Sequence, residues 1–136
     1  MTCGAIRILG VDPGLQNTGW GLIEAAGSRL AYLSCGSIRT EARTSLAERL
    51  AAIPRALTDL VEAHVPHEAA IEETFVNRDP QSTLKLGQAR GAAIAALALK
   101  RLRASEYAAD TIKKSGADVG LAEKNQAPMV VGILQA

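Results

Sequence analysis

A nearly apolar run, Ile6 to Val11, ends at Asp12-Pro13-Gly14, and this boundary constrains the fold more than any other feature of the chain. The run alternates little, as a central strand buried on both faces does. Proline has no N–H to give to a ladder, and glycine permits a positive φ, so the strand is expected to stop at Asp12. A carboxylate is thereby placed at the carboxyl end of a buried strand. Ligands in open α/β sheets bind beyond such ends.

Trp20 to Ala25 and Leu30 to Ile38 read as two further strands, with Ala26-Gly27-Ser28 as the hairpin turn between them. The start is therefore expected to be antiparallel and three-stranded. Ser45 with Glu48 three residues on is a capping-box signal. Leu46, Leu50, Ile53, Leu57 and Leu60 follow at helical spacing. Pro54 lies inside that pattern and is expected to kink or divide the helix. Ala69 to Ile71 is a short buried strand ending at Glu72. Asp79-Pro80 reads as an N-cap followed by proline at the first helical position, opening a helix that runs to about Arg103. On it Gly87, Gly91 and Ala95 recur four apart on one face. Each glycine costs about 1 kcal/mol against alanine in a helix. The face therefore implies close approach of another backbone, either a strand below or a second subunit. Glu106 to Ala109 is a candidate last strand. Lys113 and Lys114 fall on a short helix, and Glu123 to Leu134 reads as a poor helix containing Pro128.

The order is three strands, helix, strand, helix, strand, helix: an α/β layer fold with a mixed sheet. The 136 residues, 48% of them hydrophobic and without repeat or linker, suit a single domain. The apolar stretch 91–99 falls short of the ~20 residues of a membrane helix and reads as a buried helix segment. Arg7 interrupts the only early apolar run, so no signal peptide is expected. Cys3 and Cys35 lie far apart without a CxxC spacing, which suits reduced thiols in a cytoplasmic protein. The formal charge of +1 does not announce nucleic acid, so DNA binding must rest on local clusters of Lys and Arg.

Alone, Asp12-Pro13-Gly14 is more often a turn signature than a site. Glu72 at the end of a buried strand is harder to dismiss, because a carboxylate there needs a partner, a metal or water. If the two strands are parallel neighbours, Asp12 and Glu72 stand together at one edge of the sheet. Such a pair suits Mg²⁺, a hard ion that takes oxygen ligands and keeps several waters. Glu73 points to the opposite face by strand alternation. Phe75, the only Phe in a chain that is 3% aromatic, follows in a loop. It is either a core plug or an exposed ring that stacks on an unpaired base. Arg78 beside it, Lys85 and Arg90 on the long helix, and Lys113, Lys114 and Lys124 form a loose basic set. Surface cations of this kind are usually only solvated; the functional alternative is neutralisation of DNA phosphates.

Longer blocks carry a resemblance. Arg7 to Gly14 with Thr18-Gly19-Trp20-Gly21, Ala70-Ile71-Glu72-Glu73 with Phe75, and Ser82 to Gly91 resemble the RuvC-type Holliday junction resolvases. Glu106-Tyr107-Ala108, Ile112-Lys113-Lys114 and Ala122-Glu123-Lys124 extend the match from about Ile6 to Leu134. The resemblance implies an RNase H-like fold with a mixed five-stranded sheet flanked by helices. It implies a homodimer that binds four-way junction DNA and nicks two symmetry-related strands with Mg²⁺, two ions per site, or Mn²⁺. The implied partner is the RuvA–RuvB branch-migration complex. Asp12 and Glu72 would be the catalytic, metal-binding carboxylates, Phe75 the stacking residue, and Lys113 and Lys124 basic residues near DNA. The helix of Gly87 and Gly91 would be the dimer interface.

The family carries two further acidic residues, spaced Asp-x-x-Asp, on a helix near its C-terminus. The sequence ends at Ala136 before any such pair; Asp59 and Glu62, at that spacing on the earlier helix, suit a solvated face. A single domain over 1–136 without its C-terminal helix is therefore expected, with half of the metal site. The competing reading is a dimer that holds junctions without cutting them. An actin-like nucleotide-binding domain would share the core and an Asp-x-Gly turn, but needs two such domains, which 136 residues cannot supply.

Overall fold

The computed structural model describes residues 4–73 and 79–107. The elements are β1 (Ala5–Asp12), β2 (Asn17–Ala26), β3 (Arg29–Arg39), α1 (Leu46–His64), β4 (Glu68–Glu72), α2 (Pro80–Leu99) and β5 (Arg103–Tyr107). The strands form one five-stranded sheet in the order β3-β2-β1-β4-β5. β1, β2 and β3 pair antiparallel, with Gly27 at φ +60 in the turn between β2 and β3. β1 pairs parallel with β4, and β4 with β5, so the sheet is mixed as expected.

Strand alternation sorts the side chains. Leu9, Val11, Trp20, Leu22, Ala69 and Ile71 face the helices and share one core with Ile53, Leu57 and Val61 of α1 and Ala89, Ala93, Ala96 and Leu97 of α2. Even-numbered β1 and β4 residues point to the other face, among them Ile8, Ala70, Asp12 and Glu72. Both helices open on the expected caps. The Ser45 hydroxyl accepts from the Glu48 N–H at 3.1 Å, and the Asp79 carboxylate accepts from the Gln81 N–H at 3.1 Å and the Ser82 hydroxyl at 2.7 Å.

Four expectations need correction. Pro54 does not divide α1, which runs unbroken through it. The buried side chains of Ile53 and Leu57 on either side hold that turn to the core. The long helix ends at Leu99 rather than Arg103, because Arg101 adopts a positive φ of 62. The stretch 91–99 is only partly buried: Ala93, Ala96 and Leu97 are inside, while Leu99 is 83% exposed. Gly14 is not needed for a positive φ. A Cβ there would lie 2.4 Å from the Asn17 carbonyl oxygen, so the glycine answers a close approach of backbone. Among the described residues no helix is long and apolar enough to cross a membrane.

Candidate metal and nucleic-acid site

The parallel register pairs Val11 with Ile71. One step further along, Asp12 and Glu72 leave the carboxyl ends of adjacent strands on the same face. Their side chains share a hydrogen bond. Glu72 is half-buried, and Asp12 keeps an exposed side. Protein atoms nonetheless strip water from the Asp12 carboxyl, and this desolvation raises its pKa above the ordinary 3.8, against the lowering effect of the Glu72 hydrogen bond. Two oxygen donors held in contact and partly dehydrated fit a hard divalent cation, whose charge would favour both carboxylates ionised. Among the described residues no group of three His, Cys, Asp or Glu side chains converges. The described part of the site is therefore this pair. Glu73 lies beyond the strand and is exposed.

The loop after Asp12 is fixed by a residue that sequence reasoning did not single out. Thr18 is fully buried. Its hydroxyl donates to the Gly14 carbonyl at 2.7 Å and accepts from the Gly14 N–H at 3.2 Å, which closes the loop from Pro13 to Asn17. Thr40 holds the same loop from the end of β3. Its N–H donates to the Gln16 carbonyl at 3.2 Å, and its hydroxyl donates to the Leu15 carbonyl at 2.5 Å. Arg49 of α1 then donates from Nε to the Thr40 hydroxyl at 3.0 Å. The sequence offers no burial signal for Thr18, which sits between Asn17 and Gly19. Thr40 and Arg49 carried none either, because their bonds form between separate elements. On the other side, the Arg7 guanidinium donates to the His64 carbonyl at 2.7 Å, and the Arg7 N–H donates to His67 Nδ1 at 3.0 Å. These bonds seat the start of β4 against β1.

Lys85 is exposed on the second turn of α2. Arg90 is bonded to Glu106 of β5, and its buried Nε has no partner among the described residues. Gly87 and Gly91 are exposed, and a Cβ at either would meet nothing within 4 Å. Among the described residues, no strand lies against the glycine face. Phe75, Arg78, Lys113, Lys114 and Lys124 lie outside the described residues.

Residues 8–136 match the family described as crossover junction endodeoxyribonuclease RuvC. The crossover junction endodeoxyribonuclease RuvC of Methylocella silvestris is 56% identical over 134 residues, covering 98% of this chain and 76% of that protein. The solved structure of Thermus thermophilus RuvC superposes with a TM-score of 0.72 at 26% identity, over 96% of this chain and 81% of that one. A second structure, T. thermophilus RuvC in complex with Holliday junction substrate, has the same fold, with a TM-score of 0.73 at 23% identity over 83% of this chain and 71% of that one. The fold is therefore RNase H-like. With a family match from residue 8 to residue 136 and a relative of 56% identity over nearly its whole length, the chain belongs to the RuvC family of crossover junction endodeoxyribonucleases.

Proposed function

We propose that the protein is a Holliday junction resolvase, a metal-dependent endonuclease that nicks symmetry-related strands of four-way DNA junctions in recombination and repair. The observation that carries this reading is the contact between the Asp12 and Glu72 carboxyls at the ends of two adjacent parallel strands. The two would hold Mg²⁺, with Mn²⁺ as the alternative. A divalent cation held there would supply Lewis acidity toward the phosphodiester and the attacking water. The chain's own part is to present both carboxylates from rigid strands and to keep the Asp12 loop fixed through Thr18 and Thr40.

Around that centre, Phe75 would stack on an unpaired base at the junction. Arg78, Lys85, Lys113, Lys114 and Lys124 would neutralise phosphates. Arg90 joins this set as a partly neutralised group, since Glu106 already holds it. The face of α2 carrying Gly87 and Gly91 supports a homodimer. Leu84, at 63% exposure, lies on the same face, and the glycines leave room for a second backbone. A two-fold pair sets two carboxylate centres in equivalent positions, as cutting two symmetry-related strands requires. The domain would work in the cytoplasm on junctions delivered by the RuvA–RuvB complex.

The test is binding and nicking of a four-way junction against a linear duplex of the same sequence. Preference for the junction with cation-dependent nicks supports the reading. Tight junction binding with no nick in Mg²⁺ or Mn²⁺ would instead favour the junction-holding dimer. Equal treatment of both DNAs would overturn both.

A further inference from the structure

A cleft of about 360 Å³ lies beside the Asp12 loop, lined by Leu15, Gln16, Arg49, Ser82, Lys85 and Leu86. It is the meeting point of three elements: the loop from β1, the first turns of α1 and the first turns of α2. Its size falls in the range of small-ligand sites. Among the described residues that line it, two are cations from different helices and none is acidic. Neither cation forms an ion pair with a carboxylate among the described residues, although the Asp79 carboxylate at the start of α2 attracts Lys85. Arg49 is half-buried and anchored through Nε to Thr40. That bond leaves the two terminal guanidinium nitrogens, the fork that matches a phosphate. Gln16 adds an amide, while the Ser82 hydroxyl hydrogen is already given to the Asp79 carboxylate. Leu15 and Leu86 add apolar surface of the kind a deoxyribose covers.

We infer that this cleft is a backbone subsite, in which Arg49 and Lys85 grip one phosphate of a DNA strand while its sugar lies against Leu15 and Leu86. The inference rests on the resolvase reading and assigns Arg49 a role in substrate binding. The placement explains why Arg49 is tied to the loop that follows Asp12. Thr40 bonds that loop and Arg49 with one hydroxyl, so a strand seated in the cleft is indexed to the carboxylates. A phosphate held there would set the register of the strand as it passes Asp12 and Glu72. Phosphate contacts fix position and carry no sequence information.

The test is the junction dissociation constant as a function of salt, measured without divalent cation so that no strand is cut. Removing one cation that neutralises a phosphate lowers the slope of log affinity against log salt by about one. Arg49→Gln and Lys85→Gln are each expected to lower the slope by about that much and to weaken binding several-fold at moderate salt. Arg49→Lys keeps the charge and should restore the parental slope. Arg55→Gln removes an equal charge from an exposed site on the same helix, outside the cleft, and should leave the slope unchanged. Should Arg49→Gln fail to fold, Lys85→Gln decides, because Lys85 makes no hydrogen bond to a described residue. Parental slopes in the folded variants would overturn the subsite, as would an equal fall in Arg55→Gln. Thymidine monophosphate at millimolar concentration should not displace the junction. Displacement that Arg49→Gln abolishes would make the cleft a free-nucleotide site and overturn the strand assignment. A parent that binds junction and duplex alike sinks the resolvase reading and leaves the slopes to decide the subsite. A parent that prefers junctions, with unchanged slopes in the variants, sinks the subsite alone.

Discussion

The Asp12 and Glu72 carboxyls share a hydrogen bond across the parallel seam of β1 and β4. Desolvation raises the pKa of Asp12 from 3.8, so the folded chain binds that proton more tightly than the unfolded chain does. The stability this group contributes is full below the ordinary value and is lost as pH rises through the raised one. Near neutral pH, without a cation, the ionised pair therefore works against the fold. Asp12→Asn removes that charge. Thermal unfolding in chelator at neutral pH should show a variant a few degrees more stable than the parent. The difference should shrink as pH falls toward 3.8.

A divalent cation held by the pair, as proposed, would reverse the balance. Binding the folded pair and not the unfolded chain, it would stabilise by about 2.7 kcal/mol at a hundred times its dissociation constant. Mg²⁺ or Mn²⁺ should raise the parental Tm, chelator should return it, and Asp12→Asn or Glu72→Gln should lose most of the shift. Protons compete for the same oxygens, so the shift should weaken as pH falls through the raised Asp12 value. A full shift in both variants would place the cation elsewhere.

Thr18→Val tests the loop that carries Asp12. The variant keeps the shape and removes a hydroxyl making two hydrogen bonds to Gly14 in a fully buried place. Leaving those backbone groups unpaired costs about 1–3 kcal/mol. Denaturant unfolding should show that loss, with cation affinity reduced alongside. Gly14→Ala should act in the same direction, since its Cβ meets the Asn17 carbonyl oxygen at 2.4 Å.

Gly91→Glu separates the chain's own stability from its pairing. A Cβ there meets nothing within 4 Å among the described residues. Helix propensity predicts a gain of several tenths of a kcal/mol in the monomer. A charge in the proposed interface should shift the assembly from dimer to monomer in light scattering. A variant dimer as tight as the parent would show that pairing uses another face.

The first four strands were legible as runs closed by a turn or a carboxylate, as at Asp12 and at Gly27, whereas β5 was expected at Glu106 to Ala109 and lies at Arg103–Tyr107, a polar stretch without such a run. The adjacency of Asp12 and Glu72 was legible only conditionally, since nothing local says that β1 and β4 are neighbours; the parallel pairing settles it. Gly14 was read for the wrong property. A glycine needed for space and one needed for a positive φ look alike in sequence, and only the Asn17 carbonyl tells them apart. The end of α2 was misplaced because Lys100, Arg101 and Leu102 are good helix formers, and the left-handed turn at Arg101 is imposed by the return to β5. Arg49 was invisible as a site residue, because its meaning comes from a bond to Thr40 at the end of β3 and from Lys85 on another helix.

The central claim is that Asp12 and Glu72 carry the chemistry of junction cleavage, and single-turnover nicking of a four-way junction tests it most directly. Parent, Asp12→Asn and Glu72→Gln are compared in Mg²⁺, with junction affinity measured on the same samples. Both variants are expected to bind the junction as the parent does and to nick it at least ~100-fold more slowly. A variant that cuts at the parental rate, or one whose loss of cutting follows only from loss of binding, would contradict the claim.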